Sequence, residues 1–175
     1  MSIETALPDF QPTAALEQVD GELQLKLPPP AASEHLDLLV GDWIGTYRAA
    51  GQEFTAHATN RWVFNHQFVQ GLNRTQGSLG LTESQEMWVP TAEAGVYKLY
   101  FFDAFGGHGV ADARWSGSGF LVHGDDPSAG RFRNSITVTA EGDLLFHLEL
   151  GPDDQGSFKS LGEGRYSRPP RGSAG

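Results

Sequence analysis

The chain has 175 residues, 12 basic against 22 acidic side chains, a formal net charge of −10, 22 glycines, 10 prolines and no cysteine. That length predicts one domain with terminal extensions, large enough to bury a core without a disulfide or a structural metal, and the missing cysteines exclude thiolate catalysis, disulfide frameworks and iron–sulfur ligation. The acidic balance argues against nucleic acid and anionic membrane as partners, and the longest clean apolar run, Leu99 to Phe102, falls far short of the roughly 20 residues that span a bilayer, so a soluble, cytoplasmic protein is expected.

Residues 1–32 hold Pro8, Pro12 and the run Pro28-Pro29-Pro30, with five acids against the single base Lys26. Proline runs favour extended polyproline II geometry, so this part reads as an acidic extension or strap. Within it, the alternation from Glu22 to Leu27 could add an edge strand. Ser33 followed by Glu34 to Gly41 predicts one short helix, with serine as N-cap, acids in the first turn and glycine as the stop.

From Asp42 onward the pattern changes to short runs rich in β-branched and aromatic residues, separated by glycine, asparagine and aspartate. Ten strands are predicted: 42–49, 53–64, 67–74, 83–89, 96–103, 109–115, 119–123, 131–139, 143–150 and 157–168. The intervening residues suit hairpins, among them Ala50-Gly51, Asn65-His66, Gly106-Gly107, Ser116-Gly117, Glu141-Gly142 and Asp153 to Gly156. The fold class is therefore all-β, an antiparallel meander over residues 33–168 closed into a barrel of about ten strands, with a disordered tail at 169–175. A β-sandwich is the competing architecture. Long-helix cones and helix-grip folds lack the helices they need.

Period-two reading assigns faces to the strands. In the second strand Phe54, Ala56, Ala58, Asn60, Trp62 and Phe64 share the inner face, and in the ninth Leu144, Phe146, Leu148 and Leu150 do, which turns His147 outward. The fifth strand is apolar on both faces, so either the N-terminal strap or a second subunit is expected to cover it, and a homodimer follows as the expected assembly. An enclosed barrel can hold one small ligand. The residues expected to line such a site are Phe54, Ala58, Asn60, Trp62, Phe68, Gln70, Tyr100, Phe102, Arg114 and Phe146, with the buried amides of Asn60 and Gln70 needing a partner, the backbone or a ligand.

Gly41-Asp42-Trp43, opening the first strand after a short helix, resembles the calycin superfamily of lipocalin-like barrels, in which the tryptophan packs beneath an arginine of the last strand. Arg168, with Tyr166 two residues before it, is the matching arginine. A longer set of segments resembles the DUF1579 family of bacterial proteins of unknown function: His35 to Trp43, Tyr97 to Asp103 with Gly106-Gly107, Gly117 to Val122, Arg133 to Val138, and Phe158 to Arg168. The chain departs from that family's pattern at Glu86-Met87-Trp88-Val89. The resemblance implies a lipocalin-like fold and assigns no activity. Nitrobindin-like relatives of lipocalins hold haem through a histidine near the C-terminal end, which would make His147 the candidate ligand.

The six histidines show no chelating spacing, so neither a metal site nor a cofactor is predicted. The most suggestive grouping for catalysis is Asp103 and His108 around a glycine turn with Arg114 on the next strand, against the plainer reading of an aspartate capping its own turn. No catalytic residue is assigned. The leading expectation is non-catalytic binding of a small apolar or amphipathic molecule. The alternatives are an enzyme acting on a small hydrophobic substrate through those three groups, a haem-binding barrel, and a structural or interaction module.

Overall fold

The computed structural model describes residues 15–19, 22–26, 33–78, 80–151 and 157–170. The chain divides into two compact units, Met1–Pro30 and Ala31–Gly175. In the first, β1 (Ala15–Val19) pairs antiparallel with β2 (Glu22–Lys26), Val19 opposite Glu22. The alternating segment, expected as an edge strand, thus forms one half of a two-stranded hairpin sheet. The intervening sequence, Asp20-Gly21, is of the kind that favours two-residue hairpin turns. The proline run and the tail beyond residue 170 lie outside the described residues.

The second unit opens with α1 (Glu34–Asp37), shorter than the sequence suggests but capped as expected, Ser33 Oγ accepting from the Leu36 N–H at 3.4 Å. Ten strands follow: β3 (Gly41–Ala49), β4 (Gln52–Val63), β5 (Phe68–Gly77), β6 (Gly80–Pro90), β7 (Val96–Asp103), β8 (His108–Ser116), β9 (Gly119–Asp126), β10 (Gly130–Val138), β11 (Leu144–Leu150) and β12 (Lys159–Ser167). Each pairs antiparallel with its sequence neighbour, and β12 pairs with β3, closing the barrel. Closure leaves the ten-stranded sheet without an edge and settles the choice against a sandwich.

Turn chemistry sets the hairpins. Ala50 and Gly51 both take positive φ, 49° and 76°, matching the primed turns that follow strand twist. Phe64, Asn65 and His66 form a left-handed run, which carries Phe64 off the inner face assigned to it and leaves it 70% exposed. The β5–β6 hairpin is longer than expected, reaching Gly77 opposite Gly80, since a Cβ at Gly77 would land on the Phe54 ring and glycine lets the strand continue past it.

The floor of the barrel is closed by α1 and the residues after it. Leu36 and Leu39 are buried, and Trp43 lies under the Arg168 guanidinium, 3.6 Å from its ring centroid, while Arg168 Nη1 donates to Val40 O at 2.6 Å. This is the tryptophan–arginine contact anticipated from the sequence. Gly41, at φ 132°, is required there because a Cβ would occupy the guanidinium's place.

Candidate functional site

Inward residues do not fill the barrel evenly. Trp88, Tyr97, Trp115 and Phe120 interlock around one side, with Phe120 5.0 to 5.6 Å from the other three ring centroids. Leu99, Ala111, Ala113 and Val122 complete that packing. On the other side lies a cavity of about 310 Å³ lined from β3, β4, β5, β6, β10, β11 and β12 and by Leu39. Among the described residues, none from β7, β8 or β9 lines it.

The lining is set by cross-strand rows. Trp43, Ala58, Asn73 and Ser84 sit opposite one another in turn across β3 to β6, and the adjacent row is Gly41, Asn60, Gly71 and Glu86. Gly71 leaves open the space between its neighbours: a Cβ there would stand 2.8 Å from Asn60 Oδ1 and 3.7 Å from Glu86 Oε2. Asn60 Nδ2 donates to Leu39 O at 2.8 Å, and Trp43 Nε1 donates to the same oxygen at 2.8 Å. Ile136, Leu144, Phe146 and Leu148, from β10 and β11, form an apolar wall, and Trp88 adds its ring from β6.

Glu86 is the one formally charged side chain among the described residues lining the cavity. It sits deep in the protein yet keeps some accessible surface, which the cavity accounts for. Its carboxylate accepts from Trp88 Nε1 at 3.3 Å. Burial pushes the Glu86 carboxyl pKa up, opposed by that hydrogen bond. The Tyr166 phenol, also in the lining, is pushed up by burial and further by Tyr47 and Glu86 nearby. Asn134, in the wall from β10, has a buried Oδ1 with no donor among the described residues.

Of the ten residues expected to line a site, Ala58, Asn60 and Phe146 do so. Asn60 finds the backbone partner it needs in Leu39 O. Phe54 stands beside the cavity, stacked on Tyr47 at 4.9 Å. Trp62 instead packs against the helix end, its Nε1 donating to Asp37 Oδ1 at 2.7 Å and its ring stacked on His66. Phe68 and Gln70 are out of phase with the lining, because Val69, Gly71, Asn73 and Thr75 hold the inner face of β5. Tyr100 and Phe102 face outward, 40% and 55% exposed, the inner positions of β7 being Tyr97, Leu99 and Phe101. Arg114 is also outside, paired with Glu93 at 3.1 Å.

The grouping of Asp103, His108 and Arg114 does not form. Asp103 Oδ1 accepts from the Phe105 and Gly107 N–H groups, capping its own turn, and His108 Nδ1 contacts Gly106 O. Arg114 is six residues along β8 from His108, about 20 Å at the rise of an extended strand. His147 lies on the outer face of β11, 3.0 Å from Ser160 Oγ, while Leu144, Phe146 and Leu148 face the cavity. It therefore cannot reach an interior haem iron. No group of three or more histidine, aspartate or glutamate side chains among the described residues is placed to hold a metal.

Sequence reasoning missed Glu86. The signal was the parity of β6: once Trp88 is inward, Glu86 and Ser84 must be inward too.

Among solved structures the barrel is similar to that of Rv2717c from M. tuberculosis, with a TM-score of 0.60 and 13% identity over 77% of this chain and 94% of that one. The likeness is one of fold. No family model and no curated protein matches the chain. No helix among the described residues is long and apolar enough to cross a membrane.

Proposed function

We propose that the protein is a non-catalytic binding barrel that takes one small, amphipathic molecule into its interior. The observation that carries this is the cavity of about 310 Å³, in which aromatic and aliphatic walls surround a few polar groups. Small-molecule sites have this form. At roughly 30 Å³ per water, the space corresponds to about ten waters, or a ligand of similar atom count. Lipocalin-like relatedness and membership of the DUF1579 family are part of the same proposal, supported by the segments between His35 and Arg168 and by the Trp43–Arg168 stack.

Native mass spectrometry of freshly purified protein, with titration of a small neutral probe such as benzyl alcohol followed by tryptophan fluorescence, tests the reading. A mass released on denaturation, or a saturable fluorescence change that Ala58→Phe abolishes by occluding the cavity, is the expected result. A bare polypeptide that no such probe perturbs overturns it.

A second reading is favoured by the outer face of β7. Tyr100 lies opposite Met87 and Val110, and Phe102 opposite Gln85 and His108, so exposed apolar side chains from adjacent strands adjoin. Such patches are characteristic of interaction surfaces. We propose self-association through this face; sedimentation showing a dimer that Tyr100→Glu dissociates supports it, and a monomer at all concentrations sinks it.

A further inference from the structure

The cavity wall carries neutral polar groups of both kinds, among them the hydroxyls of Tyr47, Thr75, Ser84 and Tyr166 and the amides of Asn73 and Asn134, but formal charge of one sign only. Trp43 Nε1 and Asn60 Nδ2 are both committed to Leu39 O, and Trp88 Nε1 is committed to Glu86. On the acceptor side stand the Glu86 carboxylate, which accepts from Trp88 Nε1 at 3.3 Å, and Asn134 Oδ1, with no donor among the described residues. No lysine, arginine or histidine is among the described lining residues, so the only formal charge available to the interior is negative. A carboxylate placed this deep without a counter-ion is costly, and the largest gain a ligand can make there is to supply the missing cation.

We infer that the cavity selects a small organic amine, bound as its ammonium ion to the Glu86 carboxylate with its hydrocarbon part against Trp88, Ile136, Leu144 and Phe146. This rests on the binding-barrel reading and specifies its ligand class. Each alternative head group does worse against the same wall. A carboxylate ligand brings a second negative charge into a space with no cation. An alcohol satisfies a hydrogen bond and leaves the charge uncompensated. An ammonium ion does both, and aromatic faces add to its binding through the ring quadrupole. Gly71 contributes by leaving clear the space beside the carboxylate that any side chain would occupy.

The test uses the full chain and three probes of one shape: phenethylamine, phenethyl alcohol and phenylacetate. Each is titrated at neutral pH against the native protein and against Glu86→Gln, with calorimetry and tryptophan fluorescence as readouts. The native protein is expected to bind the amine about tenfold or more tighter than the alcohol, a difference of about 1.4 kcal/mol, and to show no saturable binding of phenylacetate. In Glu86→Gln the amine's advantage over the alcohol disappears.

Should that variant fail to fold, lowering the pH on the native protein serves instead. The other titratable groups in the lining are the phenols of Tyr47 and Tyr166, which carry no charge in acid, so the ratio of amine to alcohol affinity must fall as Glu86 is protonated. Equal binding of amine and alcohol, or tighter binding of phenylacetate, overturns the amine assignment and leaves the binding barrel standing. Absence of saturable binding by all three overturns both.

Discussion

The wall made by β7, β8 and β9 and the wall made by β3 to β6 are built from the same antiparallel hairpins, yet one is filled and the other is hollow. On the filled side, inward positions alternate large rings with alanines that receive them: Tyr97 and Leu99 against Ala111 and Ala113, with Phe120 wedged between Trp88 and Trp115. On the hollow side the large inward side chains Trp43, Tyr47 and Trp88 are set apart by Ala58, Gly71, Asn73, Thr75 and Ser84, and the cavity lies over these small residues. The difference teaches that closure and filling are separate properties. Backbone pairing closes the barrel, and side-chain volume alone decides whether it has a space inside.

The sharpest way to break this distinction is to truncate one ring on each side. Phe120→Ala should lose about 3–5 kcal/mol of stability in urea denaturation, because its ring is enclosed by three others. Phe146→Ala, whose ring borders the cavity, should lose less than half of that. Equal losses would mean that the two sides are packed alike. Next in size is the floor: Arg168→Ala removes both the contact over Trp43 and the bond to Val40 O, for about 1–2 kcal/mol, and Arg168→Lys should recover only part of it.

Glu86→Gln sharpens the electrostatic side of the comparison. Burial holds the folded-state pKa of Glu86 above the ordinary glutamate value of about 4.3, so ionisation is harder in the folded protein than in the unfolded chain. The native protein then loses stability relative to the variant as pH rises from that ordinary value through the raised one. The variant should show the higher unfolding midpoint at neutral pH, and the difference should vanish in acid. A constant difference across the range would place the carboxylate in water. The smallest effect is expected outside the barrel, where Arg114→Ala breaks an exposed ion pair with Glu93 and should change stability by less than about 0.5 kcal/mol.

How far the site could be read from sequence follows the same division. Where the inner face is apolar, as along Leu144, Phe146 and Leu148, alternation identifies it directly. In β5 the rule runs backwards: Leu72 is outside, 46% exposed, while Asn73 and Thr75 face the cavity, so a search for hydrophobic inner positions chooses the wrong phase. In β7 both faces are apolar, and only Lys98, on the outer side with Asp112, marks the parity that puts Tyr97, Leu99 and Phe101 inside. Glu86 was hidden because a charged residue in a strand is ordinarily a solvent-facing one.

Local architecture is written in the sequence. Ten strands, their glycine-bearing turns and the Ser33-capped helix all follow from dihedral preferences and short-range spacing, which act within a few residues. Which side chains meet across the barrel is settled only when the strands assemble. The pairings of β3 to β6 align Gly41, Asn60, Gly71 and Glu86 into one row from four strands, and closure between β12 and β3 brings the β10 to β12 wall round to enclose it, which turns a strand carboxylate into the charge lining a cavity. That outcome depends on register and on the summed volume of residues distant in sequence, which no local pattern contains.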